Sequence, residues 1–376
     1  MSNVLIHSLS IEGHRLEYLH HIYEAASKRE ENLYFFVVPQ SFNNKIDILD
    51  WPLASNIVFE YEDNIPNTSN SLYFSKYRCS NLRKYVKKCK IDQVVLIDLM
   101  GYLPFLPFLL IREIEVQGII YNNFLYHWNS DSLKQKAMNF FKYSLLTRFS
   151  IFKKVLLLND RTSSYILNRK YHTSKFVFLP DPVPNLPASL DSKDTLRKKY
   201  GLSCDKKVFL HPGGMLKYKG TLEILNAIDM LPEKYCNSIS IVFAGRITDD
   251  IKEDFFLLYQ KLKSKVELLL IEGFLSFKNL SELFTLSDYV MIPYKSVSQS
   301  SGIVGLSAYY KKPVVVAKAG LIGKIVKKNR LGFLLDAPTA EHIEGFFRIL
   351  PSWKFVPNSY VKEHTKEDFA NKLLDF

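Results

Sequence analysis

The sequence predicts an α/β fold, two doubly wound domains of parallel strands facing a cleft, and three observations carry that prediction. Apolar runs of about five to seven residues recur along all 376 residues, uniform enough to suit strands covered on both faces. Helical segments such as "GTLEILNAIDML" and "DDIKEDFFLLYQKLKS" lie between most of these runs. Near the middle, "LPDPVPNLPASLDSKD" (179–194) holds four prolines and no apolar period, as an interdomain linker does. The length also exceeds one ordinary core. We therefore expect domains at 1–185 and 186–355, with 356–376 as a closing segment.

The strands follow in order. "NVLIHSL", "LYFFVV", "NIVFEY", "QVVLIDL", "GIIYNNF", "KVLLLN" and "KFVFLP" belong to the first half; "KKVFLHP", "SISIVFAG", "VELLLIEGF", "YVMIPY", "PVVVA" and "LGFLL" belong to the second. Sheets of this kind bind ligands beyond the carboxyl ends of their strands.

The chain is basic, with a net charge of +12, which favours anionic company such as nucleotides or a membrane surface. No nucleic-acid motif is present. From Tyr289 to Leu335 there is no acidic residue, against eight basic ones: Lys295, Lys311, Lys312, Lys318, Lys324, Lys327, Lys328 and Arg330. Cys79, Cys89, Cys204 and Cys236 have no metal-binding spacing and read as free thiols in a reducing compartment. No acidic cluster suggests a held metal. The N-terminus lacks the pattern of a secretory leader, and "LMGYLPFLPFLLI" is too short to span a bilayer. A cytoplasmic location, with a peripheral position on the inner membrane face, is the expectation.

Two loops point to a phosphate site. In "VFLHPGGMLKYKGTLEILNAI" a strand ends at His211-Pro212, Gly213 and Gly214 let a ligand approach the backbone, and Lys219 stands at a helix entrance. A strand-to-helix turn with a solvated lysine would look the same. In "IPYKSVSQSSGIVGLSAYYKKPVVVAK", Tyr294 is followed by Gln299, Ser300, Ser301, Gly302 and Ile303 at the start of the next helix. Hydroxyls and amides there suit phosphate oxygens or sugar hydroxyls, and equally a serine cap.

These residues carry a resemblance. "GGMLKYKG", "EGFLSFKNLSELFTLSDYVMIPY", "SSGIVGLSAYYKKPVVVAKAGLIGKIVKKNRLGFLLD" and "FLPDPVP" resemble, in order and spacing, the nucleotide-sugar domain of GT-B glycosyltransferases, particularly the retaining family four, over about residues 176 to 336. "HTKEDFANKLLDF" is similar to that family's closing helix, which crosses back to the first domain. The resemblance implies two Rossmann-like domains and transfer of a sugar from a nucleotide diphosphate, UDP-hexose being favoured, to a hydroxyl of a lipid or glycan, with retention of configuration. It implies donor contacts from Gly13, Phe274 and Leu275 in addition to the two loops. No tightly bound cofactor is implied.

Two departures mark the chain as divergent. Met215 stands where the family has an arginine on the diphosphate, and Arg246 is the candidate substitute. The family's two glutamates would fall at Ser298 and Leu306. A nucleotide-sugar-binding protein without transferase activity is therefore the rival reading.

In the first half, Asp98 ends a strand as a candidate catalytic group beside Lys219 and Arg246. Asn122 and Asn123 fall where the family often has a histidine touching the sugar, and His14 lies at the first turn. "DSLKQKAMNFFKYSLLTRFSIFKK" carries six basic residues (Lys134, Lys136, Lys142, Arg148, Lys153, Lys154) against Asp131, a net +5. Leu133, Met138, Phe141, Leu145 and Phe149 fall on a helical stripe, widened by Phe140, Tyr143, Leu146 and Phe152. Such a helix suits either an anionic membrane, through Lys134, Lys136, Phe140, Phe141, Lys142 and Arg148, or a core with a solvated basic face.

Overall fold

The computed structural model describes residues 2–48, 51–109, 114–184 and 186–376. It divides into two units, Met1–Asp181 with Thr365–Phe376, and Pro182–His364. The last two residues of "LMGYLPFLPFLLI", 110 and 111, and the expected boundary at 185 lie outside the described residues.

The first unit is built on β1 (Asn3–His7), β2 (Leu33–Pro39), β3 (Ile57–Glu62), β4 (Gln93–Leu96), β5 (Glu115–Ile120), β6 (Phe152–Leu158) and β7 (Phe176–Leu179). These strands form one sheet in the order β3-β2-β1-β4-β5-β6-β7, and all its pairings are parallel. Helices cover both faces. One core holds Leu5, Val94, Val116 and Phe152, the other Ile6, Phe36, Ile119 and Leu156. Alternate residues of one strand therefore enter opposite cores, as uniformly apolar strands require.

The second unit holds β8 (Lys207–Pro212), β9 (Ile239–Gly245), β10 (Glu267–Glu272), β11 (Tyr289–Ile292), β12 (Val314–Ala317) and β13 (Gly332–Leu335), ordered β10-β9-β8-β11-β12-β13 and again parallel throughout. Each sheet reverses its winding once, between β1 and β4 and between β8 and β11. A doubly wound sheet opens a crevice at such a switch point.

The chain's last helix, Lys366–Leu374, belongs to the first unit. It starts at Thr365, whose hydroxyl accepts from the Asp368 amide. Phe369 packs on Tyr18, 4.7 Å between ring centroids. Gln117 of β5, fully buried, donates to the Leu373 carbonyl at 2.7 Å. A separate short helix, Tyr360–Glu363, precedes it in the second unit. No helix among the described residues is long and apolar enough to cross a membrane.

Candidate functional site

The switch point of the second unit is where its distinctive residues converge. His211, the penultimate residue of β8, is 1% exposed. Its Nδ1 lies 2.9 Å from the Met291 carbonyl and its Nε2 2.9 Å from the Thr221 hydroxyl. A carbonyl only accepts, so Nδ1 donates and Nε2 accepts from Thr221, and the ring is neutral. Burial, above all, holds its pKa down at about 4. The ring thereby ties β8 to β11 and to the first residue of the Thr221–Met230 helix.

Beyond β8 the chain passes through Gly213, with φ +94°, then Gly214. Met215 turns inward and is fully buried in the core. Its amide donates to the Arg246 carbonyl at 2.8 Å. Position 215 therefore cannot present a cation to a ligand, and a methionine is what a core position takes. Arg246 follows Gly245 at the end of β9 and is exposed. Gly245 has to be glycine: a Cβ there would sit 2.0 Å from the Gly213 carbonyl oxygen.

Lys219 ends a short 3₁₀ turn, Lys217–Lys219, and is half-buried. Its ammonium lies 5.3 Å from the Tyr294 ring centroid and 3.6 Å from where a Cβ on Gly213 would stand. Among the described residues no carboxylate pairs with it, and burial pushes its pKa below the usual lysine range. Lys295 nearby is paired, with Glu223. An unpaired, partly desolvated cation is costly unless an anion completes it.

The second loop closes the other side of the crevice. Its backbone is held by hydrogen bonds from Lys295 to the Tyr218 carbonyl (2.8 Å) and from Leu321 to the Val297 carbonyl (2.7 Å). Tyr294 is buried, its hydroxyl bonded to Ser301, and burial raises its pKa to about 12. The Ser301 side chain makes no cap bond to the Gly302–Tyr309 helix, so the serine-cap reading does not describe it. Gln299, Ser300, Gly302 and Ile303 are half-buried around it. Phe274, after β10, is 89% exposed, and Leu275 beside it is half-buried. Ser298 and Leu306 are both 3% exposed, so neither position offers a side chain to a ligand from an open face.

The first unit's switch point is differently built. Asp98 follows β4 and accepts from Arg78 Nη1 at 3.0 Å, with Arg15 Nη2 at 3.7 Å. Expected as a catalytic group, it pairs with two guanidiniums. Gly13 has φ +64° with open space around it, and His14 is exposed, 3.6 Å from the Glu17 carboxylate. Asn123 is buried, and its carbonyl oxygen accepts from the Leu125 amide. Asn122 beside it is exposed.

The Leu133–Arg148 helix buries Tyr143, Leu145 and Leu146. The front of its expected stripe, Leu133, Met138 and Phe141, is exposed together with Phe140. Lys134 and Arg148 are exposed and Lys136 half-buried, its ammonium 5.5 Å from the Trp128 ring centroid. Lys142, expected in the membrane-contact set, turns inward. Burial lowers its pKa, and the Asp98 charge opposes that shift.

Sequence reasoning missed His211 and its unit 1 counterpart His7. His7 Nε2 lies 2.8 Å from the Asn81 side-chain oxygen, and Nδ1 2.6 Å from the Tyr102 hydroxyl. Those partners stand 74 and 95 residues away, and no local pattern announces them.

Comparison with known proteins supplies the family context. Residues 192–349 match the family model described as glycosyl transferases group 1. An uncharacterized glycosyltransferase of Methanocaldococcus jannaschii is 29% identical over 187 residues, 49% of this chain, and the chain spans less than half (45%) of that relative's length. Among solved structures, Anabaena HepE in complex with UDP-glucose is 13% identical with a TM-score of 0.67, covering 100% of this chain and 96% of that one. WaaG, a glycosyltransferase involved in lipopolysaccharide biosynthesis, is 14% identical with a TM-score of 0.64 and full coverage of both chains. The fold is GT-B.

Proposed function

We propose that this GT-B protein, whose residues 192–349 form a group 1 glycosyl transferase domain, moves a sugar from a nucleotide diphosphate to a hydroxyl acceptor. UDP-hexose is the favoured donor, a lipid or glycan the acceptor, and retention of configuration the outcome that the family resemblance implies. One observation carries the reading: the Lys219 ammonium, without a carboxylate partner, stands beside Gly213 at the β8–β11 switch point.

The chemistry follows from that placement. The bond between the sugar's anomeric carbon and the β-phosphate oxygen breaks, the acceptor oxygen bonds that carbon, and the acceptor's proton passes to the departing phosphate oxygen or to solvent. Negative charge grows on the leaving diphosphate, and cations and amide donors already in place stabilise it without rearranging. Lys219 is assigned that role, with the Ser301–Gly302 helix start and Arg246 at the rim. Asp98 serves Arg15 and Arg78 as counter-ion. Met215 is a core residue and takes no part.

The test is release of UDP from UDP-hexoses, with and without acceptor, by wild type and Lys219→Ala. Loss of one charge contact to the leaving group costs roughly 2–4 kcal/mol, a rate loss of about 30-fold to 10³-fold. Activity of the variant within about twofold of wild type contradicts the assignment. The buried Ser298 and Leu306, where the resembled family carries carboxylates, favour one second reading: a protein that binds the donor without turning it over. Saturable UDP binding with no turnover of any UDP-hexose supports that reading.

A further inference from the structure

The Arg15–Ala26 helix brings His20, His21 and Glu24 together on one turn. Glu24 follows the two histidines by four and three positions, the spacings at which helical side chains meet. One ligand atom from each residue lies within 4.8 Å of the other two. Glu24 Oε2 stands 3.7 Å from His20 Nδ1 and 3.8 Å from His21 Nδ1. Both gaps are too long for a hydrogen bond. They lie near the separation of about 3.4 Å that two ligand atoms keep around a tetrahedral zinc ion with bonds of about 2.1 Å.

His21 gives an independent sign. It is 9% exposed and packs edge-on to Phe369 of the last helix, 6.4 Å between ring centroids. Neither of its ring nitrogens has a hydrogen-bond partner. A leucine would fill the same place without burying two such atoms, which are rare unless a ligand completes them. Its Nε2 faces a second carboxylate, Glu17 Oε1, at 3.8 Å. A carboxylate behind the other ring nitrogen is the usual support of a metal-bound histidine.

The surrounding charges narrow the ligand. A cavity of about 170 Å³ opens beside His21 and Glu24, lined also by Lys28, Arg29, Lys366 and Glu367. Arg29 is paired with Asp375 at 2.9 Å, and Lys28 is exposed. Lys366 donates to both oxygens of Glu24, at 2.8 and 2.9 Å, so this carboxylate already takes a cation. The Lys366 side chain is 34% exposed, which lets it swing aside. An anion would have to part Lys366 from Glu24 and sit against Glu17 and Glu367. Two imidazoles with one carboxylate suit zinc, nickel or cobalt rather than magnesium or calcium, which take oxygen ligands.

We propose that His20, His21 and Glu24 bind one divalent transition-metal ion of the zinc class, with Glu17 supporting His21 and Lys366 competing for Glu24. The proposal does not rest on the transferase reading.

The experiment titrates the full chain, treated with a chelator and desalted, with zinc chloride by calorimetry and with nickel(II) by tryptophan fluorescence. Trp51 lies edge-on to His20, 4.9 Å between ring centroids, where a paramagnetic ion quenches it. Wild type is expected to bind zinc with a dissociation constant of about 1 to 10 µM and to unfold at a higher temperature when zinc is present. His20→Gln and His21→Gln should each weaken binding about 100-fold, and Glu17→Gln about tenfold. Lys366→Met should tighten it about fivefold, since it removes the competing cation. His20 is 13% exposed, so His20→Gln answers the question even if the more buried His21→Gln loses its native circular dichroism. The proposal is overturned if zinc does not bind below about 1 mM, if both histidine variants bind it as wild type does, or if Lys366→Met binds it no more tightly.

Discussion

Individual residues in this chain do their work by where burial leaves their charge. Lys219 and Lys312 are both partly desolvated lysines with lowered pKa values, yet they differ in partners. Lys312 donates to the carbonyls of Thr285 and Ser287 at 3.1 and 2.7 Å, so its ammonium is satisfied by the fold. Lys219 has no carboxylate partner among the described residues, its ammonium lying by Gly213 and the Tyr294 ring. His7 and His211, one in each unit, are held neutral with pKa values of about 4 against an ordinary 6.5, burial being the main cause. Unfolded, each histidine takes a proton below pH 6.5; folded, each refuses it until about pH 4. Stability is therefore highest above 6.5 and is lost as pH falls toward 4. Between pH 6.5 and pH 5 each unit should lose roughly 1.5 kcal/mol from its histidine alone. Denaturant titrations at the two values, with imidazole NMR showing both rings neutral at pH 5, check this; a flat stability profile with rings titrating near 6.5 refutes it.

Among the elements, the two loops at the β8–β11 switch are built against each other. Gly220 has φ +77°, and a Cβ there would lie 2.3 Å from the Pro293 carbonyl oxygen. Alanine must push the loops apart and also adopt a backbone conformation that costs an L-residue about 1–2 kcal/mol. Gly220→Ala should lower the unfolding midpoint and weaken UDP binding, whereas Gly201→Ala, strained in φ but open in space, should cost stability alone. Equal UDP affinity in wild type and Gly220→Ala would show that the loops do not act together.

The Leu133–Arg148 helix makes a second prediction at this scale. Its exposed Leu133, Phe140 and Phe141 beside Lys134 form a face that gains from both shallow burial and surface potential. Binding to anionic vesicles should weaken as salt rises from about 0.1 M to 1 M. Lys134→Glu with Phe140→Ser should abolish it without changing UDP affinity. Wild type that ignores anionic vesicles at low salt would leave this face without a membrane role.

At the scale of the molecule, the strands were legible because each carries its own apolar run: "VVLID" and "PVVVA" specify buried strands within a few residues. The two loops at the β8–β11 switch were legible for the same local reason, since glycine, serine and lysine sit at strand-to-helix turns. What was illegible is what depends on distant partners. Asp98 reads locally as a strand-end catalytic candidate, and its pairing through Oδ2 with Arg78, 20 residues before it, and with Arg15 is not written in that local pattern. Nothing local separates Lys142 from the exposed Lys134, yet it is half-buried. The stripe through Leu133, Met138, Phe141 and Leu145, widened by Tyr143 and Leu146, had the right period; only its Tyr143, Leu145 and Leu146 part is buried, and periodicity alone does not say which part of a broad apolar face packs.

The central claim is that a nucleotide diphosphate binds at the switch point of the second unit. Amide hydrogen exchange with and without UDP tests it most directly. The account predicts slower exchange in the segments 213–220 and 300–304, reduced or absent in Lys219→Ala. Unchanged exchange there at saturating UDP, or protection confined to the first unit, would contradict it.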